Sequence, residues 1–306
     1  MKNIYYDINH IITTKINRQW KNYGQKLNQL YKIPSSSYTL TGYSWASDRT
    51  SFYIPELNIM LDCGVPNNFI PEHIFITHGH SDHSLNLPSN LLSMANSKNT
   101  IQHKPTIYTP DEIKQYVRDY IHTFYVMSKY NPNHQMHTRY ELVGVNKNAS
   151  FQINIKNKKI NVDVIECCHK VPCVGYGFTE LRSKLKNEYH GKKSDELKTL
   201  KTQNVQIMYD MKIPLFCYLG DSNIDVFKDD QIMKYPVILT ECTFLMDDDV
   251  QHAIDKYHIH WSQLDPIIQK NPEKTFILYH FSHRYTVEQI KNFFDKIQYK
   301  NIIVWV

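Results

Sequence analysis

Short apolar segments that end at polar clusters recur along the chain from about residue 38 onward. Residues 59–64 and 73–77 are the clearest, since each is mostly apolar and ends at a glycine or a polar turn. Runs of this kind, about four to eight residues long, are typical of buried strands. Further strands are predicted over residues 151–155, 160–167, 215–219, 237–240, 276–279 and 302–306.

Four longer segments between these strands predict helices, over residues 85–95, 111–127, 261–269 and 287–297. Thr286 directly precedes the last of them, where its side chain is expected to cap the helix. Strands with interspersed helices, and polar residues just past the strand ends, predict an α/β (α+β) architecture with its functional site on strand-terminal loops. The pattern leaves open whether the strands form one sheet or two.

The chain is predicted to divide into an N-terminal extension over residues 1–40 and a single domain over residues 41–306. Residues 34–37 have the composition of a linker between the two. The extension is expected to form one amphipathic helix, because apolar residues recur in it three or four positions apart. These residues are Trp20, Tyr23, Leu27, Leu30 and Tyr31.

The composition indicates a globular protein, because 42% of the residues are hydrophobic and they include 22 Tyr and 13 Phe, which excludes a disordered chain. The formal charge of +5 suits a polyanionic substrate, but many proteins without an anionic partner carry a similar charge. The six cysteines form no C-x-x-C pair, and the N-terminus shows no signal-peptide core. No apolar stretch approaches the roughly 20 residues that cross a bilayer. A reducing, cytoplasmic location is therefore expected.

One short segment concentrates metal-binding side chains. His78, His80, Asp82 and His83 fall within six residues, directly after a predicted strand. Neutral imidazole and carboxylate are preferred ligands of Zn²⁺ and related ions. On a turn, the first two histidines can converge on one ion while Asp82 and His83 face a second. The alternative is a histidine-rich surface loop without a metal.

The pattern His-x-His-x-Asp-His after a strand resembles the signature of the metallo-β-lactamase superfamily. Within that superfamily the chain is similar to the ribonuclease Z (tRNase Z) family, most of all to its short plant-type members, from about residue 43 to about residue 297. The other motifs of the family follow in order at residues 168–171, 219–222, 240–245, 257–262 and 279–286. The resemblance implies the fold of this superfamily, a four-layer αββα metallo-β-lactamase sandwich.

The resemblance also implies two zinc ions per chain, with Mn²⁺ or another divalent ion as an alternative. It assigns one ion to His78, His80, His169 and Asp221. It assigns the other ion to Asp82, His83, His280 and Asp221. The alternative for His169 and His280 is a core or surface histidine without a metal, and the alternative for Asp221 is a turn or cap residue.

The activity that the resemblance implies is removal of the 3′ trailer from precursor tRNA by two-metal hydrolysis of a phosphodiester. Asp82 would orient the attacking water and take its proton. His258, polarised by Glu241, would protonate the leaving oxygen as a general acid. Arg284 and Ser282 would contact the substrate phosphate. His260 and His283 are expected to be supporting or surface residues.

Residues 181–212 resemble a reduced form of the basic arm with which this family grips tRNA. Their clustered lysines suit contact with a phosphate backbone, although a solvated charged face has the same composition. Precursor tRNA is thus the predicted partner, and a homodimer is also expected. Residues 62–66 and 170–173 depart from the family pattern near the expected entrance of the tRNA end.

Two other functions remain open on sequence grounds. One is another hydrolase of the same fold, such as a β-lactamase-like enzyme or a broad-specificity nuclease. Glu241 and His258 favour the nuclease with the family's acid–base pair. The other is a nucleic-acid-binding protein without catalysis, against which the full set of ligand residues argues.

Overall fold

The computed structural model describes residues 30–34, 36–96, 104–129 and 139–306, without the side chains of residues 95 and 96. Two mixed sheets of seven strands each form its centre, and in both sheets the strands follow one another in chain order. The first sheet contains β1 Tyr31–Lys32, β2 Thr39–Trp45, β3 Arg49–Ile54, β4 Ile59–Leu61, β5 His73–Phe75, β6 Thr106–Pro110 and β7 Glu141–Val145. The second contains β8 Ser150–Ile155, β9 Lys158–Glu166, β10 Val174–Leu185, β11 Met208–Tyr218, β12 Val237–Glu241, β13 Thr275–Tyr279 and β14 Ile302–Val304.

The two sheets share one pairing scheme. β1 to β4 pair antiparallel, and β4 to β7 pair parallel. β8 to β11 likewise pair antiparallel, and β11 to β14 pair parallel. Because neighbouring parallel strands end at the same edge of a sheet, the loops after β4 and β5 lie together, as do those after β11, β12 and β13.

Helices cover the outer face of each sheet, which makes four layers. Leu87 and Val117 pack with Ile74 outside the first sheet, while Leu264 and Ile290 pack outside the second. The described helices are α1 Ser81–Ser84, α2 Leu87–Asn96, α3 Lys114–Lys129, α4 Ser194–Thr202, α5 Val250–Lys256, α6 Trp261–Lys270 and α7 Val287–Phe294. None of the helices in the described ranges is both long and apolar enough to span a bilayer.

A core of aromatic side chains fills the space between the sheets. Phe52 of the first sheet meets Tyr218 and Tyr279 of the second, with ring centroids 5.9 and 5.3 Å apart. Phe75 meets Tyr176 in the same way at 5.0 Å. Edge-to-face packing of this kind stabilises a core beyond its buried area. It also fixes the strand ends of the two sheets relative to each other.

A hairpin extends the second sheet beyond its other strands. β10 pairs with β9 only as far as Leu181, but its pairing with β11 continues to Leu185 and Met208. The ribbon carries α4 and a 3₁₀ turn at its tip. Residues 181–212, which we call the arm, contain eight Lys or Arg and four Asp or Glu. The insertion predicted over these residues is therefore a β-ribbon with a terminal helix.

The helices and strands predicted from residue 59 onward are present, and most of their ends are shifted by a few residues, although β11 begins at Met208 instead of residue 215. Thr286 caps α7 as predicted, because its hydroxyl accepts a hydrogen bond from Gln289 N at 3.1 Å. The sequence left open whether the strands form one sheet or two, and the structure contains two. The sequence pattern did not predict β1 to β3, β6, β7, β10 or α5.

The extension predicted over residues 1–40 lies mostly outside the described residues, and so does its helix before Leu30. Tyr31 is an exception, since β1 pairs it with Leu40 of β2. Ile33 and Tyr38 are buried between the sheets. The helix prediction is therefore wrong at Tyr31, and the sheet begins before the predicted boundary. The division into extension and domain otherwise stays a prediction.

Candidate metal centre

Two groups of histidine and aspartate side chains meet where the parallel strands of both sheets end. Within each group the ligand atoms all lie within 4.8 Å of one another, and Asp221 belongs to both groups. The first group is His78, His80, His169 and Asp221, and the second is Asp82, His83, Asp221 and His280. The structure thus brings together, from four separate loops, the two ligand sets that the resemblance implies.

The loop after β5 places four of these side chains. His78 lies just beyond the strand, and α1 begins at Ser81, so Asp82 and His83 lie in a helical turn. Cys63 N donates to the His83 carbonyl at 2.7 Å, which ties this turn to the end of β4. A Cβ atom at Gly64 would lie 1.7 Å from the Asp82 carbonyl oxygen, so only glycine permits this approach.

The other three ligand residues follow strands of the second sheet: His169 follows β9, Asp221 follows β11 and His280 follows β13. His280 has a φ of 64°, and Asp62, which follows β4, has a φ of 56°. Non-glycine residues rarely adopt this left-handed conformation, and it costs on the order of 1–3 kcal/mol. The packing around both strand ends compensates for this strain and aims the side chains between the sheets.

The chemistry of these groups fits divalent cations. His78 Nε2 and Asp221 Oδ1 are buried and lack a hydrogen-bond partner among the described residues. Since buried polar atoms nearly always have a partner, two orphaned atoms in one cluster indicate a missing one. Imidazole and carboxylate donors in groups of four match the ligand number and type that zinc prefers.

Asp62, at the end of β4, orients two histidines of the first sheet. Its carboxylate accepts hydrogen bonds from His83 Nδ1 at 2.7 Å and from Tyr218 Oη at 2.6 Å. It also accepts from the hydroxyl of Thr77, which in turn accepts from His78 Nδ1 at 3.0 Å. Both histidines therefore turn Nε2 toward the ligand groups, an arrangement typical of residues that support metal ligands.

Glu241, at the end of β12, likewise orients two histidines of the second sheet. Its carboxylate is buried and accepts from His258 Nδ1 and from Ser222 N, both at 2.8 Å. It also accepts from the hydroxyl of Thr243, which accepts from His280 Nδ1 at 3.0 Å. His280 is thereby held with Nε2 3.2 Å from Asp82 Oδ2.

A third group of possible ligands contains Glu241, His258 and His280. Here the Glu241 oxygens are already occupied by four donors, including Ile259 N at 3.2 Å. A carboxylate that already accepts from four donors is better suited to hold another side chain in place than to bind a metal. The structure therefore pairs Glu241 with His258, as the resemblance implies.

The electrostatics of the site separate His258 from the histidines of the first ligand group. Burial lowers the pKa of His258, but the Glu241 carboxylate outweighs burial and raises this pKa to about 9. Burial together with the adjacent His83 holds the pKa of His78 well below its usual value. The Glu241 carboxylate thus favours the protonated form of His258, whereas the surroundings of His78 favour its neutral form, which is the form that binds metal.

His169 joins the first group from the far side of the cleft. Its Nδ1 donates to the Tyr257 carbonyl at 3.1 Å, and its Nε2 lies 3.3 Å from His80 Nδ1. Tyr257 has a φ of 60°, which turns this carbonyl back at the end of α5. The backbone bond fixes which ring nitrogen of His169 faces the site.

An open cleft of about 660 Å³ leads to these groups. It is lined by His80, His169, His258, Ser282 and Arg284 among others, so both predicted phosphate contacts lie beside the ligand groups.

Arg284 is held in place by its own partners. Its guanidinium donates to Asp249 and lies 3.1 Å from His252 Nε2. Asp249 also accepts from Tyr285 Oη, so the acidic partner is itself fixed. The phosphate contacts of Arg284 and Ser282 stay predictions.

Sequence reasoning gave no role to three residues at this site. Asp62, Thr77 and Thr243 touch predicted ligands or their partners, as described above, but none was assigned a role, although Thr243 falls within the family motif at residues 240–245. Their one signal is position, since each lies at or just past the end of an apolar strand segment. His260 has a structural role: its ring caps α6 by accepting from Ser262 N and donating to the Met246 carbonyl.

Known proteins resemble this chain over most of its length. The tRNase Z TRZ1 of Arabidopsis thaliana is 32% identical over 261 residues, which cover 83% of this chain and 89% of that protein. The crystal structure of the metallo-β-lactamase fold protein YhfI from Bacillus subtilis superimposes with a TM-score of 0.54, at 13% identity, over 88% of this chain and 96% of that one. The short form of human tRNase Z superimposes with a TM-score of 0.50, at 17% identity, over 80% of this chain and 93% of that one.

No family model matches the chain. The two superpositions confirm the predicted metallo-β-lactamase fold.

Proposed function

Because the chain belongs to the ribonuclease Z (tRNase Z) family, we propose that it is an endoribonuclease that removes the 3′ trailer from precursor tRNA. One observation carries this proposal beyond the fold. His258, held by the buried Glu241, lines the cleft beside His80 and His169 of the first ligand group, and its ring nitrogen lies within 4.8 Å of that of His280 in the second. Hydrolysis of a phosphodiester needs such a proton donor for the leaving oxygen.

We propose that the two ligand groups hold two divalent cations, and that these are zinc. Histidine nitrogen and aspartate oxygen are zinc's usual donors, although manganese accepts the same types. When bound, such ions neutralise charge on the phosphoryl oxygens and lower the pKa of water toward about 7. Asp221 would be shared between the two, because it belongs to both groups.

Asp82 is positioned to orient the attacking water. Its Oδ2 accepts a hydrogen bond from Ser47 N at 2.9 Å and lies 3.2 Å from His280 Nε2. Burial raises the pKa of Asp82, but the hydrogen bond of His280 and the nearby His83 outweigh burial and lower it. The carboxylate is therefore ionised at neutral pH and can accept a proton.

His258 is the proton donor in this proposal. Its Nδ1 donates to Glu241, which leaves Nε2 as the nitrogen that can serve the leaving 3′ oxygen. The Glu241 carboxylate raises the pKa of His258 to about 9, which favours the protonated form that a proton donor needs. General-acid assistance of this kind typically accelerates a reaction about 10²- to 10⁴-fold.

Two further surfaces suit an RNA substrate. Arg284 presents a guanidinium at the cleft and is fixed by Asp249, which suits a forked contact with a phosphate. The arm projects from the second sheet and carries twice as many basic as acidic residues. We propose that the arm contacts the phosphate backbone of tRNA outside the cleft.

The direct test incubates the purified protein with a precursor tRNA, with and without a chelator, and in parallel with a chromogenic β-lactam. We expect cleavage at the trailer junction, loss of this cleavage with the chelator and recovery on adding zinc. Hydrolysis of the lactam alone would instead identify a β-lactamase-like enzyme. RNA binding without turnover under any metal would identify a non-catalytic protein.

A further inference from the structure

His283 is an exposed aromatic residue whose ring stacks on a buried one. Its ring centroid lies 5.2 Å from that of Trp45, and the two planes differ by 15°. Trp45 is only 7% exposed, whereas His283 is exposed and lines the cleft. One face of the imidazole is therefore covered by indole, and the rest of the ring faces the cleft.

The stack is fixed relative to the ligand groups. Trp45 ends β2, and the next residue, Ala46, donates its N–H to the Phe281 carbonyl at 3.1 Å. Ser47 N then donates to Asp82 Oδ2 at 2.9 Å. Two consecutive backbone donors thus tie the loop that carries Trp45 both to the loop of His283 and to a predicted ligand.

His283 has no other evident role among the described residues. It belongs to none of the ligand groups, and it forms no ion pair. It lies in the chain between Ser282 and Arg284, the two residues predicted to contact the substrate phosphate. A planar ring next to phosphate contacts is what a single-stranded nucleotide requires, because its phosphate and its base are recognised side by side.

We propose that His283, backed by Trp45, is a stacking platform for the base of one of the two nucleotides that flank the scissile phosphate. This inference rests on the proposed function, since it places RNA in the cleft. Stacking on an aromatic ring tolerates any base, because every base has a π-face. Such a platform would hold trailers of different sequence in the same position.

The test compares His283→Ala, which removes the ring, with His283→Phe, which keeps a ring but no hydrogen-bonding group. We expect the alanine variant to raise KM for precursor tRNA about 5- to 150-fold, the range for losing one stacked base, with little change in kcat. The phenylalanine variant should restore most of the loss. His122→Ala, at an exposed histidine outside the cleft lining, is the matched control.

Two further measurements separate stacking from other contacts. When the stacked nucleotide is replaced by an abasic ribose, wild type and His283→Ala should have the same KM. When the other flanking nucleotide is replaced, the difference in KM between the two proteins should remain. In the full-length, metal-loaded His258→Ala background, 2-aminopurine at the stacked position should be quenched on binding, and His283→Ala should abolish the quenching.

Three results would overturn the platform: unchanged KM in His283→Ala, equal effects on abasic and normal substrates, or better rescue by His283→Lys than by His283→Phe. The last would indicate a phosphate contact instead of stacking. In each case wild-type protein still cleaves precursor tRNA. Failure of that cleavage would instead refute the proposed function.

Discussion

The two sheets end in the same hydrogen-bonding arrangement. In the first sheet a buried carboxylate, Asp62, accepts from one histidine directly and from a threonine that accepts from a second histidine. In the second sheet Glu241 repeats this arrangement with His258 and Thr243. The repetition follows from the pairing scheme that the sheets share, since both carboxylates lie at the end of a strand in the parallel half.

The two arrangements differ in where the directly bound histidine points. His83 is buried, and its Nε2 lies 3.3 Å from Asp221 Oδ1, inside the second ligand group. The His258 side chain is 17% exposed and lines the cleft. One carboxylate thus supports a predicted ligand while the other supports the proposed proton donor. The comparison teaches that the position of the histidine, and not its carboxylate partner, decides its chemistry.

The sharpest test of this difference exchanges each directly bound histidine for alanine. His258→Ala should lower kcat about 10²- to 10⁴-fold while the bound metal is retained, because only the proton donor is lost. His83→Ala should lose metal as well as activity. Metal content by elemental analysis, alongside kcat, checks both variants. Equal depletion of metal in the two would break the comparison.

The threonines should behave alike, since both connect a carboxylate to a predicted ligand. Thr77→Val and Thr243→Val keep the shape of the side chain but remove the hydroxyl. Changes to such supporting residues typically cost about 10- to 100-fold in metal affinity or activity, and we expect this range for both. Competition with a chromophoric chelator measures the affinity, and serine variants should recover it. Loss in only one variant would show that the two arrangements are not equivalent.

Asp163 offers a buried carboxylate of the second sheet with no histidine partner. Burial raises the pKa of Asp163, but hydrogen bonds from Lys234, Ser150 and Tyr235 outweigh burial and lower it. Asp163→Asn should therefore cost on the order of 1–3 kcal/mol of unfolding free energy at pH 7 without changing kcat.

The pH dependence of that cost follows from the lowered pKa. The stabilisation should be complete above the pKa of an unfolded aspartate, about 3.9, and should disappear as the pH falls through the lower folded value. Denaturant titrations of both proteins at pH 7 and pH 3 check this. A cost that does not decrease in acid would contradict the assignment.

The smallest effect is expected on the arm, away from the chemistry. Lys192 and Lys193 are exposed there, and we expect their joint change to alanine to reduce the salt dependence of KM for precursor tRNA. The logarithmic slope should fall by about 0.9 for each lost contact with duplex phosphate. The matched control is the double change at Lys296 and Lys300, which are exposed outside the arm. An unchanged slope in the arm variant would show that Lys192 and Lys193 do not contact the phosphates of the tRNA.

The site residues that could be predicted are those recognisable from their near neighbours in the chain or from a family motif. His78 to His83 form a compact motif, and the later ligands each follow an apolar strand, so their order was readable. Asp62 could not be given a role in the same way, because its partner Tyr218 lies 156 residues away in the chain. Thr77 was missed for a similar reason, since its carboxylate partner lies 15 residues away. Thr243 is two residues from Glu241, but the histidine that it orients lies 37 residues away.

The arm strands were missed because of their surroundings. Residues 182–185 and 209–211 extend beyond the neighbouring strand β9, and most of them are exposed or half-buried on both faces. Without a buried face, no alternation of apolar and polar residues is required. The ribbon is held by backbone pairing and by a cross-strand hydrogen bond from Ser183 Oγ to Asp210 Oδ1, which leave little trace in the apolar pattern of the sequence.

Each ligand group takes side chains from both sheets, and this has a consequence for how the protein acquires its cations. His78 and His80 face His169 and Asp221, while Asp82 and His83 face Asp221 and His280. Neither group is complete until Asp221 has been synthesised, and the second also waits for His280. A cation that binds only the completed groups would link the two sheets and raise the melting temperature, with a stabilisation that grows with the logarithm of the free cation concentration once this exceeds the dissociation constant. We therefore expect full metal loading to follow the folding of both sheets and their association.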